Sequence, residues 1–436
     1  MASISTFNIA VPDSQLKQLN EKLHAATFPD ELDEAGWDMG VPLFEMKRLV
    51  TAWRENFDWR AQEKKLNEQL NQFIVSISVD GFGELDIHVV HHRNGNPRYS
   101  SLIHSRISTH VRWAMAKCIL GPGSFLEATK LIPLLVQGDD GPAFDVVVPS
   151  LPNYGFSQGV QKRGFGLAQY AETMHKVMIT LGYEEYVIQG GDWGSVIART
   201  MAQYYAKHIQ AIHLNLVAVM PPLPWRNPLR FLHSLASVPF SAKDRKAIGR
   251  TVDYVLNGSA YMKQQQTRPQ TLGYGLHDSP VALLAWIYDK LHSWSDNYQW
   301  TDDEIFTWIS VYYFSRAGPT ASTRIYHEAS ASKPETKDIG GEGKQEVITN
   351  WITVPEVLSA SAQCNVRFAV AQFKEEIIQL PTAWYRSIGN VVQEKEFEHG
   401  GHFAAWEVPE VLAGDLKDFL GRDGPAYEAV QGKDGY

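Results

Sequence analysis

The feature that most constrains this chain is a set of short, continuous apolar runs separated by helix-like sequence. Phe144-Asp145-Val146-Val147-Val148-Pro149, Tyr186-Val187-Ile188-Gln189 and Ile212-His213-Leu214-Asn215-Leu216-Val217 lack the strict polar alternation of a half-exposed strand. Runs of this kind belong to strands buried on both faces. The segment from Gly166 to Leu181, between the first two, has helical character. Alternating strand and helix predicts an α/β fold in which a mostly parallel sheet is covered by helices. Strand-like sequence returns at Val366-Arg367-Phe368-Ala369-Val370 and at Val391-Val392.

The flanking sequence has other periods. Leu16, Leu19 and Leu23, then Phe44, Met46, Leu49, Val50, Trp53 and Phe57, then Trp59, Leu66 and Leu70 predict helices that pack a satellite domain. From Phe73 the period becomes two, and Phe73 to Ile77 with Leu85 to Val90 reads as a hairpin turning at Asp80-Gly81. The stretch from about Pro221 to Ser330 interrupts the α/β alternation with aromatic-rich helical sequence. Within it, Ser279-Pro280 is an N-cap and first-turn pair for a stripe of Leu283, Ile287, Leu291 and Trp294. Lys333 to Glu346 reads as an exposed loop. The expected organisation is a helical domain with its hairpin over 1–95, the first half of the core over 96–220, a helical lid over 221–330, and the second half over 331–436.

Composition narrows the function classes. With 436 residues, 44% of them hydrophobic and 20% charged, the chain has material for a large core. A net charge of −9 disfavours nucleic acid and anionic lipid as partners of the whole chain. Two cysteines, Cys118 and Cys364, build neither a disulfide framework nor a cysteine metal site, so no metal is expected. Apolar runs long enough to span a membrane and a signal-like N-terminus are both missing from the sequence, and the expected location is cytoplasmic.

Between an apolar strand and the helical run Ser195 to Tyr204 stands Gly190-Gly191-Asp192-Trp193-Gly194. This is the pattern of a strand-to-helix elbow, whose tight turn requires small residues beside the nucleophile. A carboxylate in that position attacks a saturated carbon bearing a leaving group and forms an alkyl ester, which histidine-activated water then hydrolyses. The leaving group is a halide or the oxygen of a strained epoxide. Phe373-Lys374-Glu375-Glu376 follows a later strand and Gly400-Gly401-His402-Phe403 the last one, giving the chain order nucleophile, acid, histidine. The spacing leaves Glu375 and Glu376 both open as the acid.

The elbow, the run Pro149-Ser150-Leu151-Pro152-Asn153-Tyr154-Gly155-Phe156-Ser157 and the run Gly400-Gly401-His402-Phe403-Ala404-Ala405-Trp406-Glu407 together resemble the microsomal-type epoxide hydrolases of the α/β-hydrolase superfamily. The soluble fungal-like branch is the nearer match, and Phe57-Asp58-Trp59-Arg60 and the Ser279 to Ile287 run extend the resemblance over nearly the whole chain. The resemblance implies an α/β-hydrolase fold with a helical lid and an N-terminal helical domain. It also implies cofactor-independent conversion of a small hydrophobic epoxide and water to a vicinal diol, in detoxification and xenobiotic metabolism; a homodimer is compatible with it. It maps the nucleophile onto Asp192, the base onto His402, and the charge-relay acid onto Glu376, counted back from Pro381 and Trp384. Two epoxide-gripping tyrosines map onto Tyr261 and Tyr326, with Tyr312 and Tyr313 nearby in sequence. The backbone N–H of Trp193 is expected in the oxyanion hole, although an indole in this place binds halide in haloalkane dehalogenases.

One segment departs from the family pattern. The family's His-Gly-Trp-Pro, which supplies the other oxyanion donor, is replaced by Ile119-Leu120-Gly121-Pro122, leaving Gly121 as the donor. Upstream, where a continuous apolar strand is expected, Arg98 to Lys117 carries Arg98, Arg106, Arg112 and Lys117 and no acid. The substitution predicts either a sheet exposed at its middle or unpaired buried charge, and hence a chain that binds hydrophobic ligands with little turnover. A basic partner-binding helix is the alternative for this stretch.

Overall fold

The computed structural model describes residues 3–93, 113–118, 123–137, 141–225, 228–330, 352–359, 366–427 and 429, with Met115 the one side chain described in 113–118. Among these residues lie the strands β1 (Ser3–Thr6), β2 (Gln72–Val79), β3 (Gly83–His92), β4 (Trp113–Cys118), β5 (Phe144–Pro149), β6 (Tyr186–Gly190), β7 (Ile209–Leu214), β8 (Arg367–Glu375) and β9 (Asn390–Gly401). They form a single sheet in the order β1-β2-β3-β5-β4-β6-β7-β8-β9. From β5 to β9 every pairing is parallel. The β2–β3 hairpin joins antiparallel to β5, with Val90 opposite Val148, and β1 adds antiparallel to β2.

The divergent segment takes a place at the centre of this sheet. In β4, Met115 pairs with Val146 on one side and Val187 on the other, and its side chain is buried. The expected gap in the middle of the sheet is therefore not present, and 113–118 is strand rather than basic helix. The physical reason is local: the arginines all lie upstream of Trp113-Ala114-Met115-Ala116-Lys117-Cys118, which includes one ionic residue in six. Arg98, Arg106, Arg112, Gly121 and the loop from Lys333 to Glu346 fall outside the described residues.

Other boundaries differ from the sequence reading for identifiable reasons. The strand expected at Ile212–Val217 begins three residues earlier, and Asn215 turns away after Gly190 O accepts its N–H at 3.1 Å. The strand expected at Val391-Val392 runs on to Gly401, since Gln393, Glu394, Lys395, Glu396 and Glu398 are tolerated on an edge strand that faces solvent. Phe44, assigned to an apolar stripe, is 69% exposed; Met46, Leu49, Val50 and Trp53 carry the buried face.

Helices α1 (Asp13–His24), α2 (Leu43–Glu55) and α3 (Trp59–Gln69) precede the hairpin. Asp58 caps α3 by accepting the N–H groups of Arg60 and Ala61 at 2.9 and 3.3 Å. Helices α4 (Leu131–Val136), α5 (Leu167–Thr180) and α6 (Asp192–Tyr204) connect the parallel strands. Between β7 and β8 the chain makes α7 (Pro228–Ser237), α8 (Ala242–Asp253), α9 (Ala260–Thr267), α10 (Pro269–Asp278), α11 (Pro280–Ser293), α12 (Asp302–Tyr313) and α13 (Arg324–Ser330), then α14 (Val354–Ser359). After β8 come α15 (Thr382–Tyr385), α16 (Ala404–Glu407) and α17 (Pro409–Leu420). As the sequence indicates, Ser279 caps α11 by accepting Ala282 N–H at 3.1 Å, with Pro280 in its first turn.

The N-terminal helices clasp this insertion. Trp53 stacks on Phe306 with centroids 5.5 Å apart, Trp59 packs on Phe314 at 5.3 Å, and Arg48 holds Asp302 through two bonds of 2.8 and 2.9 Å. The Arg48–Asp302 pair is half exposed and contributes ~0–1 kcal/mol, whereas each aromatic pair adds ~0.5–1.5 kcal/mol beyond the area it buries. Aromatic burial is what fixes α12 against the N-terminal domain.

Candidate active site

The elbow is built by backbone geometry. A Cβ on Gly190 would sit 2.8 Å from Gly194 O, so only glycine lets β6 run straight into α6. Asp192 itself has φ of 45°, a left-handed conformation that costs ~1–3 kcal/mol in a non-glycine residue. The conformation lifts the side chain off the helix start, where it is 12% exposed. Trp193 N–H donates to Asp192 Oδ1 at 2.6 Å, and Ser195 Oγ donates to Asp192 O at 2.8 Å. The positive end of α6 adds to this stabilisation of the carboxylate.

Parallel pairing of β8 and β9 brings the other two groups to the same end of the sheet. Glu375 is in register with Gly401, so the next residues, Glu376 and His402, emerge side by side. His402 Nδ1 lies 2.6 Å from Glu376 Oε1, and His402 Nε2 lies 3.3 Å from Asp192 Oδ2. Glu376 and His402 are buried, whereas Glu375 is 30% exposed and binds Arg250 at 2.5 Å. Of the two open glutamates, Glu376 is the one that faces the histidine. His402 N–H donates to Trp294 O at 2.8 Å, an approach open only because a Cβ on Gly401 would collide with that oxygen. Burial alone would lower the His402 pKa, but the carboxylates of Glu376 and Asp192 outweigh it and hold the imidazole well above its ordinary value.

The insertion supplies the opposite wall. Tyr261 on α9 and Tyr326 on α13 meet edge to face with centroids 6.0 Å apart, and Tyr326 packs at 4.9 Å against the ring of Trp193. Burial raises the pKa of both phenols well above the usual value, so both stay protonated. Tyr312 is used differently: its hydroxyl donates to Gly123 O at 2.5 Å. Tyr313 is half buried, against Phe314. A small cavity of about 30 Å³ lies between Tyr261, Tyr326, Tyr154, Leu283, Trp286 and Trp294. Asp192 and His402 are not in its wall; Tyr326 and Trp294 are the residues that line it and also touch Trp193 and His402.

Two contributors escaped the sequence reading as site residues. Trp294, read only as the end of a buried stripe, accepts from His402 N–H and lays its ring edge-on to the imidazole at 4.9 Å. Tyr254 hydrogen-bonds Tyr261, oxygen to oxygen, at 2.8 Å. A sequence signal existed for neither beyond aromatic enrichment of the insertion.

Comparison with known proteins places this geometry. The profile described as "Epoxide hydrolase N terminus" matches residues 4–106, and that described as "alpha/beta hydrolase fold" matches residues 121–409. The "Juvenile hormone epoxide hydrolase 2" of Ctenocephalides felis is 30% identical over 435 residues, covering 95% of this chain and 84% of that protein. The chain belongs to the epoxide hydrolase family. "Epoxide hydrolase 1" of Sus scrofa is 29% identical over 445 residues, covering 96% of this chain and 89% of its own length. The solved structure of Aspergillus niger epoxide hydrolase superposes with a TM-score of 0.75 at 28% identity, covering 96% of each chain. This epoxide hydrolase thus has the α/β-hydrolase fold with an N-terminal domain, and it is a hydrolytic enzyme. Among its described residues no helix is long and apolar enough to cross a membrane.

Proposed function

We propose that the chain hydrolyses a hydrophobic epoxide to a vicinal diol through an ester on Asp192. The observation that carries this reading is the division of labour between the two oxygens of one carboxylate. Oδ1 accepts the Trp193 N–H, while Oδ2 is turned to His402 and is free of that bond. Oδ2 is the atom suited to attack a ring carbon, with Tyr261 and Tyr326 donating to the ring oxygen as its carbon–oxygen bond breaks. One proton passes to that oxygen, and the alkyl group stays on Oδ2. Water deprotonated by His402 then adds to the Asp192 carboxyl carbon. The negative charge of that step develops on Oδ1, where Trp193 N–H already lies, and the bond to Oδ2 breaks to release the diol. Glu376 orients the imidazole and supports its charged form.

The cavity, walled by tyrosine, tryptophan and leucine, favours an apolar substrate body. The relatives named above are epoxide hydrolases, which favours a ring oxygen over a halide as the leaving group, and turnover over ligand binding alone. The test is a single turnover on an aryl epoxide in heavy-oxygen water. Label must enter the Asp192 peptide, and His402→Gln must accumulate the ester; label confined to the diol, or normal diol release by His402→Gln, would exclude the ester route.

A further inference from the structure

Over one cycle of that reaction the proton account leaves Tyr261 or Tyr326 short. Water brings two protons: one leaves on the hydroxyl that contains the former Asp192 oxygen, and the second is shed at the Asp192–His402 end. The ring oxygen takes its proton from a phenol on the opposite wall, and that phenol must recover one before the next substrate. Tyr261 lies on α9 and is partly buried, and its hydroxyl is hydrogen-bonded to a neighbour.

The neighbour is Tyr254. Its hydroxyl is 2.8 Å from that of Tyr261, and either oxygen can be the donor. Tyr254 begins a π-helical turn, Tyr254–Gly258, that separates α8 from α9. Such turns re-aim single side chains and recur at functional sites. Gly258 makes room for the ring, since a Cβ there would stand 3.0 Å from Tyr254 Cδ2. Tyr254 and Tyr261 both border an open cleft whose wall also includes Arg250, Asp253, Asn257 and Lys290. Lys290 Nζ, which is paired with Asp289, stands 5.2 Å from the centroid of the Tyr261 ring. Tyr326, in contrast, is buried against Trp193 and Tyr261 and is not in the wall of that cleft.

We propose that Tyr254 relays a proton from the open cleft to Tyr261, so that Tyr261 rather than Tyr326 is the phenol that gives its proton to the ring oxygen. Tyr254 does not touch the reacting atoms; it acts through Tyr261. The inference rests on the epoxide-opening role of Tyr261 proposed above.

The test is Tyr254→Phe, which removes one oxygen and keeps the ring. With enzyme in excess over an aryl epoxide, rapid-quench alkylation in the first turnover is expected within about twofold of the unaltered chain, because Tyr261 begins protonated. Steady-state kcat is expected to fall roughly tenfold, and to recover as imidazole buffer is raised at constant pH and ionic strength. Tyr254→Phe is further expected to add no loss in a Tyr261→Phe background. Equal steady-state kcat in Tyr254→Phe and the unaltered chain would overturn the relay. So would a loss that appears in full in first-turnover alkylation, or one that imidazole does not relieve, with thermal unfolding unchanged. An unaltered chain that makes no diol, or diol formation that survives Asp192→Ala, would instead refute the epoxide reading on which the relay rests.

Discussion

Replacing Glu376 by Gln isolates the charge beside His402. Size and shape are conserved, and the Gln oxygen can still accept from Nδ1 at the site of the present 2.6 Å contact, so the variant subtracts mainly the negative charge. At an effective dielectric of ~20, two unit charges at such a separation interact by ~6 kcal/mol. Loss of the anion behind a triad histidine lowers kcat by ~10⁴-fold in serine proteases, which is ~5.4 kcal/mol, so the two figures agree in scale. The expected loss is therefore ~10³- to 10⁴-fold. Glu375→Gln provides the control, because that side chain is 30% exposed and paired with Arg250 and Lys374. An ion pair of that exposure is worth ~0–1 kcal/mol, at most about fivefold in rate. The assay is rapid quench with detection of the Asp192 ester, which separates its formation from its hydrolysis, alongside thermal unfolding of both variants. Hydrolysis should carry most of the loss in Glu376→Gln. Losses within tenfold of each other in the two variants, with both folded, would refute the assignment of the acid.

Gly190→Ala is expected to lower the unfolding temperature by several degrees and kcat with it, since the new methyl must push Gly194 O away from 2.8 Å at a cost of ~1–3 kcal/mol; calorimetry and diol formation check this, and unchanged values for both would contradict it. Burial pushes the His88 imidazole down to about 3, between Ser150 Oγ and Gln72 Oε1. The unfolded chain takes up a proton near pH ~6.5 that the folded chain refuses, so this contribution to stability is whole above that pH and is lost on acidification toward about 3. Unfolding temperatures measured from pH 7 to 5 should therefore fall less steeply in His88→Gln, and parallel slopes would refute the point. Finally, changing Ile119-Leu120-Gly121 to His-Gly-Trp is expected to raise kcat without any change upstream, because β4 already occupies the centre of the sheet; the gain has a ceiling of ~100- to 1000-fold, the worth of one oxyanion donor, and no gain would mean that the native segment donates as well.

The parallel core was readable because β5 and β6 are buried on both faces and therefore need unbroken apolar sequence. β9 was read as two residues because it lies at the sheet edge, where glutamate and lysine are as acceptable as valine. The elbow was readable for a steric reason, since glycine at 190 answers a clash 2.8 Å away in the next turn. Spacing could not choose between Glu375 and Glu376, because the choice depends on the register of β8 against β9 and on a break in that register between Phe373 and Glu375. Resemblance pointed to Glu376, and the pairing provides the physical reason that it faces His402. Trp294 and Tyr254 were out of reach for a different cause: their contacts join the insertion to the end of β9 and to its own next helix, and no periodicity encodes a contact of that kind.

The same geometry gives the proposed cycle an order. Before reaction, His402 lies between two carboxylates, and their joint field keeps it protonated against the pull of its own burial. A protonated imidazole cannot accept a proton from water, so the resting site holds its base in reserve. Esterification converts Asp192 from an anion to a neutral ester and deletes one of the two charges that support the imidazolium. Burial then weighs against Glu376 alone, and the imidazole pKa falls toward the range in which it can serve as a base. Attack by water is thereby favoured only after the nucleophile has captured a substrate, and the group it attacks is the one whose oxygen is already bound by Trp193 N–H. Once the ester is cleaved, the returning Asp192 charge raises the histidine again and resets the site.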